Sequence, residues 1–218
     1  ALRQAGLYDD TAVFLFADHG DFTGDYGLVE KTQNTFQDCL SRVPFVIKPP
    51  RGVPVRPRVS NALVELVDFP ATVFELAGLT PGYTHFGRSL LPVLAGNRDS
   101  HRDAVFCEGG RREGEDHCRE GDFTPGDTRR HYWPRLSLQW ESHVAHGKAV
   151  MCRTDRHKYV RRLYESDEFY DLATDPGETV NRIADPACAA DVARLRERLL
   201  TFFMETADVV PHQPDRRW

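Results

Sequence analysis

Short apolar runs separated by polar, glycine-rich links mark the first half of the chain. Residues 11–17 are mainly apolar, and so are residues 43–48, which stop at a pair of prolines. Such runs are typical of strands that are covered on both faces, and the long connection between them favours parallel pairing. Before the first run, residues 1–6 resemble the last turns of a helix closed by glycine.

A helical pattern follows at residues 69–77. Asp68 stands where it can cap the first turn, Pro70 is tolerated inside that turn, and Gly78 lies just past the end. These start and stop signals agree with one another, so we expect a helix with these bounds.

The second half changes to alternating patterns. Four short segments alternate apolar and polar positions well enough to predict strands, the last three of them as an antiparallel meander. The predicted strands are 104–108, 149–153, 158–164 and 168–172. A final helix at 187–206 has apolar residues on one face, which should pack on this small sheet. The apolar face consists of Val192, Leu195, Leu199 and Phe202.

These elements predict an α/β fold in two parts. Residues 1–103 are expected to belong to a mostly parallel sheet with flanking helices, and residues 104–218 to form a small subdomain with an antiparallel sheet and the final helix. Residues 109–147 are polar and rich in Gly, Arg and His, and their pattern predicts no element. Loops of this length in compact domains usually serve function or are disordered.

Composition narrows the classes of function. The net charge is −5, and arginines occur in scattered pairs among acidic residues, so we expect no nucleic-acid partner. No segment reaches the ~20 apolar residues of a membrane helix, so we expect no membrane span. The five cysteines are widely spaced and show no C-x-x-C pair, which favours free thiols. The chain starts with Ala1, which suggests the interior of a longer protein whose compartment is open.

The segment that follows the first strand carries the candidate chemistry. Asp18 and His19 come directly after the apolar run, and in α/β sheets ligands bind beyond the carboxyl ends of strands. A carboxylate oxygen suits Ca²⁺ or Mg²⁺, and a neighbouring histidine can bind the metal or an anion. Gly20 allows a sharp turn, and Lys31 follows a glycine-rich loop with a cation suited to a tetrahedral oxyanion. Asp18 could equally cap a helix, with His19 only filling a loop.

The order of these motifs resembles the sulfatases of the alkaline-phosphatase superfamily. Their C-terminal metal segment runs as a hydrophobic strand, S/A-D-H/N-G, G-D/E-H/Y-G and a Lys, which corresponds here to residues 11–31. The resemblance covers nearly the whole chain except 109–147. Further matches are R-V-P at 42–44, V-D-F-P-A-T at 67–72, L-A-G at 76–78, G-R-S-L-L at 87–91, K-Y at 158–159, E-F-Y-D-L at 168–172, D-P-G-E at 175–178 and Asn181.

The resemblance implies a C-terminal part of a sulfatase, an alkaline-phosphatase-like sandwich that hydrolyses sulfate esters of small molecules or saccharides. Asp18 and His19 would be ligands of Ca²⁺ or another divalent cation. His19 and Lys31 would bind the substrate, and Lys31 would stabilise the leaving group as charge develops. Sulfatases also need a formylglycine made from C/S-x-P-x-R, a motif that this chain lacks. We therefore expect the nucleophile upstream and the isolated chain to be inactive.

Two other interpretations stay open at this point. A phosphonate or phosphate ester hydrolase of the same superfamily would have a similar metal segment, and a non-catalytic truncated remnant would have no turnover. Cys39, in a partial echo of the nucleophile motif, is interpreted as a buried apolar residue. His131, His143 and His146 could line a substrate pocket in the 109–147 region, whereas His157 and His101 are interpreted as residues without a functional role. Trp133 and Trp140 either pack this region down or contact an aromatic or sugar leaving group, and both interpretations stay open.

Overall fold

The computed structural model describes residues 1–119, 128–129 and 132–208. The chain forms two compact units, each built from separate stretches of sequence. The first unit contains Ala1–Asp18, Pro44–Val105 and the chain from Arg198 onward, and the second contains His19–Val43 and Phe106–Glu197. The predicted domains, 1–103 and 104–218, stay a prediction.

The first unit contains a two-stranded sheet of β1 (Val13–Phe16) and β2 (Phe45–Lys48). The strands exist as predicted, but the prediction of parallel pairing was wrong: they are antiparallel, with Phe14 opposite Ile47. The connecting residues 17–44, all of them described, contain the short helices Asp25–Gly27 and Asp38–Ser41 in place of the long helix of a parallel crossover. A long connection permits either direction, so its length does not determine the pairing.

Both faces of this strand pair carry apolar side chains. Phe14 and Phe16 pack their rings against Phe69, with centroids 4.9 and 5.0 Å apart. On the other face the cross-strand partners Leu15 and Val46 remain 61% and 59% exposed. The apolar outer face agrees with a sequence pattern that predicts strands covered on both sides.

The predicted helix is α2, Asp68–Ala77, which ends at Gly78 in the left-handed region with a φ of 65°. The capping role of Asp68 was wrong, because its side chain bonds no helix N–H. Asp68 is instead fully buried and accepts hydrogen bonds from the backbone N–H of Glu65 and Arg88, at 3.0 and 2.7 Å, and from the Arg102 guanidinium. Asp68 therefore joins the start of α2 to two later segments.

Two smaller elements complete this part of the chain. The helix α3 (Leu91–Leu94) follows the Arg88 segment. Residues 1–6 form a turn of helical type, in which Ala5 N–H donates to Ala1 O and Leu7 N–H donates to Leu2 O, both at 3.0 Å. Gly6 closes this turn with a φ of 71°, which agrees with the predicted helix end closed by glycine.

The second unit is organised around a four-stranded sheet in the order β3–β4–β5–β6. Its strands are β3 (Val105–Gly109), β4 (Ala149–Arg153), β5 (His157–Arg162) and β6 (Glu168–Asp171). The predicted meander is confirmed, because β4, β5 and β6 pair antiparallel in sequence order. Met151 and Val160 face each other across the sheet and pack with Phe36 in the core.

Three further α-helices are described: one inside the region that the pattern left unassigned, one before β2 and one near the end of the chain. The helix α4 (Trp133–Glu141) falls inside 109–147, where none was predicted, with Pro134 in its first turn. A four-residue helix, α1 (Asp38–Ser41), precedes β2. The last helix, α5 (Ala189–Thr206), is confirmed, and Val192, Leu195 and Leu199 on its apolar face are buried.

The first turns of α5 lie on the small sheet, as predicted. Arg196 donates hydrogen bonds to the Tyr159 hydroxyl and to Asp167, at 2.9 Å each. None of the described helices combines the length and apolar character of a membrane span.

Candidate active site

The predicted metal segment directly follows β1, as the sequence indicates. Asp18 is the last residue of the first unit and His19 the first of the second. Both side chains are exposed, and His19 Nδ1 lies 2.8 Å from the carbonyl oxygen of Gly20. Exposed polar groups at the end of a strand are accessible to a ligand.

Gly20 holds this segment against α1. Its N–H donates to the Leu40 carbonyl at 2.8 Å, and a Cβ built on Gly20 would lie 1.9 Å from the carbonyl oxygen of Cys39. That distance is far inside van der Waals contact with backbone that cannot rotate away. Only glycine therefore fits, and the reason is the close approach to α1 rather than the conformation of the turn.

We expect Gly20→Ala to lower the free energy of unfolding by about 1–3 kcal/mol, because the added methyl must push the loop away from α1. Chemical denaturation of the two proteins measures this difference. Gly82→Ala is the matched control, since a Cβ there meets no atom within 4 Å. Equal midpoints for both variants would contradict the packing argument.

The loop between Gly20 and Lys31 is closed on itself. Gly24 N–H donates to Leu28 O and Glu30 N–H donates to Phe22 O, both at 3.0 Å, and the Phe22 side chain is only 3% exposed. The Tyr26 hydroxyl donates to the Gly177 carbonyl at 2.6 Å. The loop therefore has a defined shape, and the partly buried Lys31 follows it directly.

Two titratable groups in this neighbourhood are held in their neutral forms. Burial, with Glu178 and other nearby acidic groups, raises the pKa of Tyr26 to about 12, so its hydroxyl remains a donor. Burial and the charge of Asp25 raise the pKa of the Cys39 thiol. Cys39 is partly exposed rather than fully buried as interpreted from sequence, and its raised pKa does not favour a nucleophilic thiolate. All five cysteines are free thiols, as predicted.

A buried group of charges lies beneath α1. Lys158 is 1% exposed, and its Nζ lies 2.7 Å from Asp38 Oδ1 and 2.5 Å from Glu178 Oε1. Arg153 adds bonds of 3.2 and 3.1 Å to the two Asp38 oxygens. Sequence reasoning noted Lys158 and Glu178 only as parts of a family resemblance. The available signal was a lysine at the first position of the predicted strand 158–164.

The metal prediction can be compared with the donors that the structure brings together. Within residues 1–119, 128–129 and 132–208, no group of three or more His, Cys, Asp or Glu side chains could hold a metal ion. Asp18 and His19 offer one hard carboxylate and one imidazole, whereas Ca²⁺ takes ~6–8 oxygen ligands. These two residues fit part of a metal site, and their roles, like that of Lys31, stay predictions.

The aromatic and histidine residues of 109–147 separate into different environments. His143 and Trp140 line a cleft of about 360 Å³ together with Arg111 and Arg119. Trp140 lies under the Arg119 guanidinium at 4.2 Å. His146 is 2% exposed, so it was wrongly considered for a pocket lining.

Of the other residues considered from the sequence, Trp133 and His157 do not line this cleft. His131 lies outside the described residues, and Trp133 is partly buried at the start of α4. His157, interpreted from sequence as a residue without a functional role, is buried at the start of β5 with its ring 5.2 Å from that of Phe169.

Comparison with known proteins extends the resemblance over the whole chain. The Sulfatase family model matches residues 1–79. The chain is 29% identical over 213 residues to the multifunctional alkaline phosphatase superfamily protein PehA of Trinickia caryophylli, covering 95% of this chain and 37% of PehA. It is 26% identical over 212 residues to the Delta 4,5-hexuronate-2-O-sulfatase of Bacteroides thetaiotaomicron, covering 95% of this chain and 38% of the relative.

A solved structure agrees with these relatives. The phosphonate monoester hydrolase SpPMH from Silicibacter pomeroyi superposes with a TM-score of 0.73 and 26% identity, over 100% of this chain and 41% of that one. The chain thus has the predicted alkaline-phosphatase-like fold, and its similarity to sulfatases extends over nearly its whole length. It spans about two fifths of the length of each of these three proteins.

Proposed function

We propose that the protein to which this chain belongs hydrolyses a sulfate ester, in which ROSO₃⁻ and water give ROH and hydrogen sulfate. The observation that carries the proposal is the ordered segment from β1 to Lys31, in which Gly20 is seated on α1 and the loop beyond it is closed. The Sulfatase family match covers this same segment. A saccharide sulfate is the favoured substrate class, because one relative is a hexuronate-2-O-sulfatase.

The proposed roles follow from the chemistry of each side chain. Asp18 and His19 would hold Ca²⁺ or another divalent cation, which supplies charge stabilisation to the ester oxygens when it is bound. Lys31 would bind the sulfate oxygens and stabilise the leaving group, since an ammonium is a compact donor for an oxyanion. The formylglycine nucleophile would come from outside this chain.

The second candidate is hydrolysis of a phosphonate or phosphate ester. Its support is the similarity to SpPMH, a phosphonate monoester hydrolase, and to PehA, whose name describes it as multifunctional. In both reactions a water oxygen replaces the alcohol at a tetrahedral sulfur or phosphorus atom that carries negatively charged oxygens, so the same cation and lysine would serve either one. The choice of ester therefore needs a direct assay.

We expect the natural full-length protein to hydrolyse 4-nitrophenyl sulfate with a higher kcat/KM than 4-nitrophenyl phenylphosphonate. In Lys31→Ala the kcat for both esters should fall roughly 10²–10³-fold, the effect of removing one oxyanion donor. Lys148→Ala is the control, because that lysine is 42% exposed and forms a surface ion pair with Glu108. Turnover of phosphonate or phosphate esters with no sulfate ester turned over would reject the sulfatase proposal.

For the isolated chain we expect weak Ca²⁺ binding, because two donors leave most of the coordination shell to water. Isothermal titration calorimetry should show a dissociation constant above the micromolar range. Micromolar affinity that is lost in Asp18→Ala, and kept in the loop variant Asp21→Ala, would show instead that this chain alone contains a full site.

A further inference from the structure

The turn that contains Gly177 and Glu178 is tightly ordered although it is distant in sequence from the metal segment. Asp175 accepts hydrogen bonds from the backbone N–H of Thr179 and Val180 at 2.8 and 2.9 Å. Glu178 itself has a φ of 54°, in the left-handed region that glycine normally occupies. A non-glycine residue persists in that conformation only where its surroundings hold it there.

This turn is bonded to α1 through the Glu178 carboxylate. Glu178 Oε2 accepts the N–H of Asp38, the first residue of α1, at 2.6 Å, while Oε1 faces Lys158 Nζ. Lys158 also donates to the Phe36 carbonyl at 2.7 Å, just before the helix. The buried ammonium thus donates to the Phe36 carbonyl and to Asp38 and forms an ion pair with Glu178, so two of its three partners lie in α1 or shortly before it.

From α1 the connection continues to the metal segment. Leu40, two residues after Asp38, accepts the N–H of Gly20 at 2.8 Å, and Gly20 is joined directly to His19. The same turn also contacts the middle of the loop, where Tyr26 donates to the Gly177 carbonyl. One turn therefore holds the loop at two points.

The strained residues of the molecule coincide with this connection. Across the residues that the structure describes, the non-glycine residues with positive φ are Tyr26, Glu30 and Glu178. Two belong to the loop and the third to the turn that holds it. Such conformations cost of order 1–3 kcal/mol each. Their grouping indicates that the surrounding contacts hold the loop and the turn in one conformation despite this cost.

We propose that Glu178 is a positioning residue which, through Lys158 and α1, fixes the loop carrying His19 and Lys31 in its reactive geometry. This inference rests on the proposed ester hydrolysis. A buried ion pair is seldom worth more than a well-packed apolar pair, but it specifies one geometry because each donor has one acceptor. Glu178 acts through the backbone of the loop and need not touch the substrate.

The test compares Glu178→Gln with Asp167→Asn in the natural full-length protein. Asp167 is the matched control, because it is also a buried carboxylate of the second unit with several donors, among them Tyr159 and Arg161, at 2.6 and 2.7 Å. Its contacts do not include the loop or α1. Both variants are measured at the same interval below their own thermal midpoints, so that loss of stability is matched.

Two readouts follow the loop and the reaction separately. In Glu178→Gln, hydrogen exchange at the Gly20 amide should become about tenfold faster, because its bond to Leu40 opens more often. The kcat for the ester should fall roughly tenfold with KM little changed, as expected when aligned groups are misplaced. Asp167→Asn should change neither quantity. Tyr26→Phe, which removes one tether without touching a buried charge, should produce a smaller change in the same direction.

Each outcome decides the proposal. Faster exchange and lower kcat confined to Glu178→Gln and Tyr26→Phe support it. An unchanged kcat, unchanged exchange, or equal effects in Asp167→Asn overturn it. If the wild-type protein hydrolyses neither ester, the proposed function fails, and the exchange comparison alone decides whether Glu178 holds the loop.

Discussion

Replacing Asp68 by asparagine is expected to lower the free energy of unfolding by about 3–5 kcal/mol, the usual cost of breaking a buried ion pair from one side. Every face of the Asp68 carboxylate meets a donor. Oδ1 accepts from Arg88 N–H and Oδ2 from Glu65 N–H, while Arg102 and His101 contact the group from the side. The NH₂ group of an asparagine would place its own donors against those donors. The buried Arg102 would then keep one carboxylate partner, Glu65, at 2.9 Å.

The effect should depend on pH in a defined direction. Burial opposes ionisation of Asp68, but the bonds from Arg102, His101 and two backbone N–H groups outweigh it and hold its pKa well below the usual range. A lowered folded-state pKa means that the stabilisation is complete above the unfolded value of about 4 and is lost as the pH falls below it. The difference between wild type and Asp68→Asn should therefore shrink in acid.

Urea denaturation at pH 7 and near pH 3 measures the loss of stability in Asp68→Asn and its dependence on pH. Asp9→Asn is the control of equal chemistry, because Asp9 pairs with Arg51 on the surface, with side chains 65% and 68% exposed. Exposed pairs are worth about 0–1 kcal/mol. A loss in Asp68→Asn no larger than in Asp9→Asn would show that the buried network does not stabilise the fold.

Replacing Lys158 by methionine should lower the free energy of unfolding by a comparable amount, about 3–5 kcal/mol, because it removes the positive member of a buried ion pair. Methionine fills much of the volume, but Asp38 and Glu178 are left close together. Arg153 can still neutralise Asp38, at 3.1 Å, whereas Glu178 loses its cation. The cost is therefore electrostatic and concentrated on Glu178.

Acid should reverse part of this loss. Burial already raises the pKa of Glu178, although Lys158 opposes that shift, so removing the lysine raises the pKa further. A carboxyl whose folded-state pKa is raised is best tolerated below its unfolded value of about 4.3 and costs stability as the pH rises through the folded value. The deficit of Lys158→Met should thus be largest at pH 7 and smaller near pH 4.

Denaturation across that pH range tests the prediction against Lys148→Met, a surface lysine of the same unit whose pair with Glu108 is 42% exposed on both sides. The control should change stability by less than about 1 kcal/mol at every pH. A deficit in Lys158→Met that is independent of pH would point to lost packing rather than to an unpaired carboxylate.

The candidate site was accessible from sequence because it is local. Asp18, His19 and Gly20 are adjacent in the chain and follow a strand that its own apolar pattern predicts, so their place at the strand end needed no tertiary information. The roles of Glu178 and Lys158 were not accessible in this way. They lie well over 100 residues from the loop that they hold, and their charges alone do not state which partners will neutralise them once both are buried.

The same division applies to the fold. The sequence by itself determined the elements whose signals are local: the strands and their apolar faces, the helix that ends at Gly78, the antiparallel meander and the final amphipathic helix. Only the tertiary structure decided the antiparallel pairing of β1 and β2, the use of Asp68 as a buried acceptor instead of a cap, and the close backbone contact of Gly20 with α1. Each of these features depends on which backbone segment, distant in sequence, lies next to a given hydrogen-bond donor or next to the position that a methyl group would occupy. Periodicity does not encode that contact, because it records which face of a segment is buried and not what covers it.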